Sequence, residues 1–262
     1  MDGKAITGGI CMNTVLFLTA CINPNGMTQT RLQDADERLR QYVTALQWYL
    51  FHTNLQIVFV ENTGYDISDQ FKQYIDAGRL EVLTFNGNSY NKSLGKGYGE
   101  ALIIMHGLEN SRWLKNADHI IKITGRLICK NINRICCSYK HLDTIYAIKR
   151  KGPFGQMECQ SQVMVVTKEF LNNYFLTGIE KLNDSKFYWF EHLLYDSIKD
   201  WVKDGHHYRY MWIPVKLEGQ SGSTGNPINT YSGKSVLGFY LHYLLHFIGY
   251  YGKLKFWEKD EK

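Results

Sequence analysis

Lysine and arginine residues are the ones in this chain whose types and spacing best suit chemistry. Lys96 begins the glycine-punctuated stretch KGYGE, and Lys122 and Arg126 lie four residues apart in the stretch IKITGR. Glycine lets backbone N–H groups approach a phosphate, and Lys and Arg can neutralise a diphosphate without a metal ion. We therefore assign Lys96, Gly97, Lys122 and Arg126 to the binding of a nucleotide diphosphate. Lys122 and Arg126 are expected to face the same side of the sheet. The alternatives are a solvated loop residue for Lys96 and an ion-paired strand residue for Lys122.

Carboxylates are the candidates for proton transfer. Glu191 lies at the start of a predicted helix in the aromatic stretch YWFEH, where it could accept a proton from an attacking hydroxyl. The alternative is a charge that interacts with the helix dipole. Glu61, at the end of a predicted strand, could bind the ribose or base of a nucleotide, or it could cap a turn. Glu158 is another candidate acid in a less favourable position.

Hydroxyl groups are concentrated near the C-terminal end of the chain. The stretch SGSTG from Ser221 to Gly225 could close over a phosphate or an acceptor as a lid, or it could be a loop without a role. We assign Ser221, Ser223, Thr224 and His192 to acceptor binding or to this lid.

These residues fall near the carboxyl ends of predicted strands. Apolar runs predict strands over residues 15–20, 56–60, 80–85 and 119–124, and helices are predicted to begin near Asp34, Ser68 and Glu100. This alternation implies a mostly parallel sheet with right-handed crossovers, which binds ligands outside the carboxyl ends of its strands. Thr19, at the end of the first strand, is therefore a further candidate contact for the nucleotide.

The second half of the chain predicts a mixed arrangement. Strands are expected over 143–148, 162–166 and 208–213, a helix over 189–202 and a polar loop over 217–230. Residues 235–257 combine an apolar helical pattern with lysines and aromatic residues, and glycines weaken the segment as a membrane-spanning helix. The pattern suits a helix that lies in a membrane interface, and the alternative is a helix docked on the core.

Composition restricts the class of protein. A chain of 262 residues with 44% hydrophobic residues can form one large α/β domain, and a net charge of +5 without a long Lys/Arg run does not favour nucleic acid as a partner. Six cysteines without C-x-x-C spacing indicate reduced thiols in the cytoplasm. The phosphate-binding P-loop pattern, the G-x-S-x-G elbow and H-E-x-x-H do not occur, which argues against a nucleoside triphosphatase, a serine hydrolase and a zinc protease.

As a set, several stretches resemble small bacterial glycosyltransferases of surface-polysaccharide loci. They are LTAC in the first strand, KGYGE from Lys96, KITGR from Lys122, FEH from Phe190 and GQSGSTG from Gly219. The resemblance covers roughly residues 14–230. It implies a GT-A-like, Rossmann-type α/β fold, a mostly parallel sheet flanked by helices. It also implies a nucleotide-sugar donor, a glycan or lipid-linked glycan acceptor of capsule or lipopolysaccharide synthesis, and work at the cytoplasmic membrane face. The chain lacks the Asp-x-Asp motif of the common GT-A pattern, so no cofactor is expected, and a need for Mg²⁺ or Mn²⁺ stays open.

We thus expect a GT-A-like domain over residues 1–232 and a C-terminal amphipathic, membrane-proximal segment over 233–262. The expected activity is glycosyl transfer with Glu191 as base, in the cytoplasm or on the inner face of the cytoplasmic membrane. Two alternatives stay open. One is a nucleotidyltransferase that acts on sugar phosphates, which would need acidic metal ligands. The other is a non-catalytic glycan-binding or assembly protein.

Overall fold

A seven-stranded sheet forms the centre of the protein. The structure is a computed structural model, and it describes residues 13–141, 143–152 and 155–248. Its strands are β1 (Thr14–Ala20), β2 (Gln56–Glu61), β3 (Leu80–Thr84), β4 (His119–Thr124), β5 (Ile128–Cys129), β6 (Thr144–Ala147), β7 (Lys149–Lys151), β8 (Met157–Cys159), β9 (Val163–Val166), β10 (His207–Tyr210), β11 (Leu217–Gln220) and β12 (Pro227–Asn229).

The central sheet is mostly parallel. Its strand order is β10-β6-β9-β4-β1-β2-β3, and only β9 runs against its neighbours, β4 and β6, in the part of the chain that the structure describes. Strands β5, β11 and β12 form a small antiparallel sheet, and β7 and β8 form a hairpin. The predicted fold class, a mostly parallel α/β sheet flanked by helices, is confirmed.

Helices cover both faces of the central sheet. They are α1 (Ala35–His52), α2 (Lys72–Asp76), α3 (Lys96–Asn110), α4 (Arg112–Lys115), α5 (Ile132–Ser138), α6 (Lys168–Phe170), α7 (Phe190–Lys203) and α8 (Gly233–Phe247). Shorter 3₁₀ and π turns cover Ser68–Phe71, Lys92–Leu94, Leu171–Phe175, Leu176–Lys181 and Asp184–Lys186.

Side chains that alternate along β1 explain why a hydrophobic layer forms on each face of the central sheet. Leu16 and Leu18 pack with Tyr42 and other residues of α1, whereas Val15 and Phe17 pack on the other face with α3 and α7. All four of these β1 side chains are fully buried, as expected for a parallel strand covered on both faces. Helix α1 begins where the sequence predicts, because the Asp34 side chain accepts a hydrogen bond of 2.9 Å from the backbone N–H of Glu37.

Two predicted loops are ordered segments instead. The glycine-rich stretch from Lys96 forms the first turn of α3, which therefore begins four residues before Glu100. The segment predicted as a polar loop over 217–230 contains the hairpin of β11 and β12, in which Glu218 pairs with Asn229. This hairpin has few apolar residues, and backbone pairing of β11 with β5 holds it in place.

Helix α8 docks on β10 through aromatic contacts. The Tyr210 ring lies 5.7 Å from that of Tyr243 and stacks at 4.7 Å on His246. Residues 249–262, which belong to the predicted membrane-proximal segment, lie outside the described residues. Among the described residues, no helix is both long enough and apolar enough to span a bilayer.

Candidate functional site

A cleft of ≈ 580 Å³ opens at the carboxyl ends of β1, β2 and β4. The chain passes from β1 to β2 and β3 on one side, whereas β4 lies on the other side of β1. The connections therefore diverge at this point and leave a crevice, as in other open α/β sheets. Thr19 and Thr124, which are register partners on β1 and β4, both line the cleft.

Two buried arginines form one wall of the cleft. Arg38 of α1 donates from Nε to the carbonyl oxygen of Cys21 at 2.7 Å. Arg126, which follows β4, donates from Nη1 to the carbonyl oxygen of Gln220 at 2.9 Å, and it is only 8% exposed. Its Nε is buried and makes no hydrogen bond with the described residues. Both guanidinium groups lie against the same ring, that of Tyr42, at 5.8 Å from its centroid.

The loop between β11 and β12 covers these arginines. A Cβ atom at Gly222 would lie 2.5 Å from Nη2 of Arg126 and 3.7 Å from Nη1 of Arg38, so the glycine allows the backbone to approach both cations. The Gly222 carbonyl accepts a hydrogen bond of 2.9 Å from the N–H of Arg31, which holds the loop near α1. The predicted lid residues Ser221, Ser223 and Thr224 all line the cleft.

Helix α3 points its N-terminus into the cleft. Lys96 is its first residue, and the Lys96 ammonium group donates a hydrogen bond to the Ser223 hydroxyl across the cleft. A Cβ atom at Gly97 would lie 3.0 Å from Cβ of Phe190, so this glycine lets the starts of α3 and α7 approach each other. The structure thus brings Lys96, Gly97 and Arg126 to one cleft, together with the positive end of a helix.

Lys122 does not join this group of cations. Its side chain is fully buried and lies beside the Phe190 ring, on the sheet face opposite to the Tyr42 ring that Arg126 contacts. The expectation that Lys122 and Arg126 face the same side is therefore wrong, because Arg126 lies beyond the strand end and no longer follows its alternation. Lys122 forms an ion pair with Glu100 and donates a hydrogen bond of 2.7 Å to the carbonyl oxygen of Ser161.

Glu100 links the buried lysine to the cleft. Its Oε1 accepts from the Lys122 ammonium and also from the Thr19 hydroxyl at 3.1 Å, and Glu100 itself lines the cleft. Lys122 therefore neutralises an acid of the cleft wall instead of presenting its own charge to a ligand. Thr19 lines the cleft as well.

Glu191 lies on the wall formed by the start of α7. Its Oε1 accepts a hydrogen bond of 2.7 Å from the hydroxyl of Ser161, and it forms no ion pair with the described residues. Ser161 is in turn fixed by the Lys122 hydrogen bond to its carbonyl oxygen. One carboxylate oxygen of Glu191 is thus held in position, and the other remains able to accept a proton.

Asp184 is a second acid of the same wall. It is 6% exposed, lines the cleft, and its Oδ2 has no hydrogen-bond partner among the described residues. Burial raises the pKa of this carboxyl to about 6, the Lys96 charge and a hydrogen bond from the Lys96 N–H oppose the rise, and the charge of Glu191 adds to it. Asp184 therefore changes its ionisation near neutral pH.

Two further predicted site residues, besides Lys122, lie away from the cleft lining. Glu61 is fully buried, and its carboxylate accepts hydrogen bonds from the N–H groups of Ile22, Thr63 and Tyr65 at 2.8–3.0 Å. It organises the loops that follow β1 and β2, so the turn-capping alternative describes it. His192 is also buried, and its ring stacks on Trp189 at 5.0 Å while Nδ1 accepts from the Trp189 N–H.

The remaining acid of the cleft is already paired. Glu158 is 2% exposed and accepts a hydrogen bond of 2.5 Å from Arg150. Over residues 13–141, 143–152 and 155–248, no three His, Cys, Asp or Glu side chains lie close enough together to hold a metal ion. The unpaired acids, Asp184 and Glu191, are the candidates for proton transfer or for contacts with sugar hydroxyls.

Sequence reasoning missed Arg38, Asp184 and Ser161. Arg38 resembles an ordinary helix residue, although its four-residue spacing from Tyr42 places both on one face of α1. Asp184 lies in a polar stretch without periodicity, and Gly95 was the available signal. Gly95 has φ +86°, and a Cβ atom there would overlap the Asp184 carboxyl group at 1.8 Å from Cγ. Ser161 carries no signal in the sequence, because its role depends on the reversed strand β9.

No protein-family profile and no curated protein matches the sequence. Several solved structures are similar in backbone. A protein assigned as a nucleotide-diphospho-sugar transferase from Desulfovibrio desulfuricans G20 matches at 9% identity and a TM-score of 0.44 over 76% of this chain and 80% of its own. The galactosyltransferase LgtC, in complex with donor and acceptor sugar analogues, matches at 9% identity and 0.46 over 75% and 72%. The inositol-1-phosphate CTP transferase from T. maritima matches at 13% identity and 0.41 over 77% and 85%.

Proposed function

We propose that this protein is a glycosyltransferase that uses a nucleotide-sugar donor. The observation that carries the proposal is one cleft lined by both cations and acids. The cations are Lys96 at a helix start, Arg126 and Arg38, and the acids outside any ion pair are Asp184 and Glu191. A nucleotide sugar has matching parts, since its diphosphate is anionic and its sugar carries hydroxyl groups.

The cations of the cleft would bind the diphosphate. The Lys96 ammonium group and the positive end of α3 would attract the phosphate oxygens, and the planar guanidinium of Arg126 would offer a second contact. Their positive charge stabilises the negative charge that develops on the departing phosphate oxygen. Thr19 and Gly97 would border the donor, and the loop with Ser221, Ser223 and Thr224 would close over it.

The acids of the cleft would serve the acceptor. As the acceptor oxygen forms its bond to the anomeric carbon, the bond from that carbon to the phosphate oxygen breaks. The proton of the acceptor hydroxyl passes to Glu191, and the nucleoside diphosphate leaves with the electron pair of the broken bond. The hydrogen bond from Ser161 orients Glu191 for this role. This assignment describes transfer with inversion, in which a base acts on the acceptor.

Donor binding is the first test. A thermal-shift panel of nucleoside diphosphates and their sugars, with and without Mn²⁺, should identify a stabilising nucleotide. Arg126→Ala should abolish the shift, whereas replacement of the exposed Arg40, which pairs with Glu37 on α1, should preserve it. If no nucleotide or nucleotide sugar shifts the melting temperature, the proposal is wrong.

The products identify the reaction. With the stabilising donor and glycan acceptors, a glycosyltransferase releases a nucleoside diphosphate, whereas a nucleotidyltransferase supplied with a triphosphate and a sugar phosphate releases pyrophosphate. Glu191→Gln should lower turnover by about 10²–10⁴-fold and leave donor binding intact. Loss of donor binding in this variant would reassign Glu191 to the donor.

We further propose that the acceptor is a growing surface glycan of the capsule or lipopolysaccharide type. The resemblance of the KGYGE, KITGR and FEH stretches to enzymes of such loci supports this choice. Assays with lipid-linked and free oligosaccharide acceptors would test it. Binding of an acidic glycan without any donor binding would favour an assembly protein instead.

A further inference from the structure

The outer face of helix α8 is apolar and exposed. Leu237, Leu241, Leu244 and Ile248 are 71%, 56%, 54% and 65% exposed. Their spacing of four, three and four residues places them in one stripe along the helix and its C-terminal cap. The aromatic side chains Tyr240 and Phe247 flank this stripe and are 50% and 56% exposed.

The exposed stripe is separate from the face that docks on the core. Phe239, Tyr243 and His246 contact Tyr210 of β10, which fixes the rotation of the helix. Ten large hydrophobic side chains are exposed in the described part of the chain, and six of them lie between Leu237 and Ile248. Such a concentration marks an interaction surface, since isolated exposed apolar residues are scattered over an ordinary surface.

The charges around this face favour an anionic partner. From Tyr231 to Trp257 the sequence contains Lys234, Lys253 and Lys255 and no Asp or Glu, although the chain has 25 acidic residues. Lys234 lies in the first turn of α8 and is exposed. Tyr and Trp side chains next to lysines are typical of segments that lie at the boundary between lipid headgroups and acyl chains.

We propose that the outer face of α8 binds the surface of a bilayer that contains anionic lipid. In this arrangement the leucine stripe enters the headgroup boundary and Lys234 contacts a lipid phosphate. A second copy of the chain is a poorer occupant, because a two-fold contact would place the Lys234 of both copies at one interface, and α8 has no acid to neutralise them. The proposal does not depend on the chemistry of the cleft.

Vesicle flotation with the full chain tests the proposal. The protein should float with vesicles of phosphatidylcholine and phosphatidylglycerol, and much less with phosphatidylcholine alone. Leu241→Ser combined with Leu244→Ser should lower the vesicle partition coefficient at least tenfold, since each leucine contributes on the order of tenfold when its side chain is buried. Lys234→Ala should lower it about fivefold.

The matched control is Phe51→Ser, which removes an 81% exposed apolar side chain from α1 and should leave flotation unchanged. Equal melting temperatures of the variants would show that the fold is intact. Failure of the wild-type chain to float, or flotation of the double variant equal to that of the wild type, would overturn the proposal. A dimer in sedimentation analysis that the double variant abolishes, without flotation, would assign the face to a second copy and overturn it as well.

Discussion

The replacement Asp184→Asn should stabilise the protein at neutral and alkaline pH. The pKa of Asp184 is raised from 3.8 to about 6 in the folded protein, first of all by burial. At about 1.4 kcal/mol for each pKa unit, ionisation of this carboxyl therefore costs the folded state up to about 3 kcal/mol. Asparagine has nearly the same shape and cannot ionise, so this cost disappears in the variant.

The sign of the pH dependence follows from proton binding. Between about pH 4 and about pH 6 the folded protein holds a proton on Asp184 that the unfolded chain has released, so its free energy of unfolding falls as the pH rises. The variant lacks this fall. Its advantage over the wild type should be small at about pH 4 and should reach its full value above about pH 6.

Urea denaturation at about pH 4 and about pH 8 measures both differences. The exposed acid Asp69 provides a control, because Asp69→Asn should show no comparable gain at either pH. Equal stability changes for Asp184→Asn at both pH values would refute the assignment of the raised pKa to this carboxyl. If Asp184→Asn has a higher free energy of unfolding at high pH and has lost turnover, then Asp184 is needed for activity although its ionisation destabilises the fold.

Substitutions at Arg126, Lys122, Gly222 and Gly95 test the geometry of the cleft. Arg126→Ala should weaken binding of a nucleoside diphosphate at least tenfold in calorimetry, and Arg126→Lys should not restore it, because one ammonium cannot replace the guanidinium fork. Lys122→Met should lower the free energy of unfolding by about 3–5 kcal/mol in urea, since Glu100 loses its cation, and adding Glu100→Leu should recover much of this loss. Gly222→Ala should raise the donor KM and barely change the melting temperature, because its Cβ would lie 2.5 Å from Arg126. Gly95→Ala should prevent folding, visible by circular dichroism, because the new Cβ would overlap Asp184 at 1.8 Å from Cγ; a folded and active variant would contradict the described turn.

The first half of the fold could be predicted closely from the sequence. Strands β1, β2 and β4 are buried on both faces, and such strands produce continuous apolar runs that are easy to recognise. Strands β5, β7 and β12 have two or three residues each and show no period, so their pairing depends on tertiary contacts. The hairpin of β11 and β12 was therefore predicted as a loop.

The candidate site could be predicted in part. The position of the site followed from the predicted order of strands and helices. Arg126 lies there because it comes just after β4, and Lys96 because it begins α3. The partner of Lys122 could not be predicted, because Glu100 lies 22 residues earlier and meets it only when α3 packs on the sheet. The hydrogen-bond partners of Glu61 could not be predicted for the same reason. The sequence indicates the strand end at which a charged residue lies, and its partners decide whether a ligand can reach it.

The reversed direction of β9 has a consequence for how the cleft could change during evolution. The cleft lies at the carboxyl ends of the parallel strands, so the residues that these strands contribute come after the strand. Strand β9 runs the other way, and the residues that it brings to the cleft, Ser161 and Gln162, come before the strand. The backbone N–H of Thr124 bonds to the Gln162 carbonyl at 3.0 Å, which fixes this approach. A one-residue deletion between β8 and β9 would draw Ser161 away from Glu191 without changing the length of the segments after β1, β2 and β4. The residue that orients the proposed base and the residues proposed to bind the nucleotide therefore come from separate segments of the chain, which the hydrogen bonds of Lys122 and Thr124 connect.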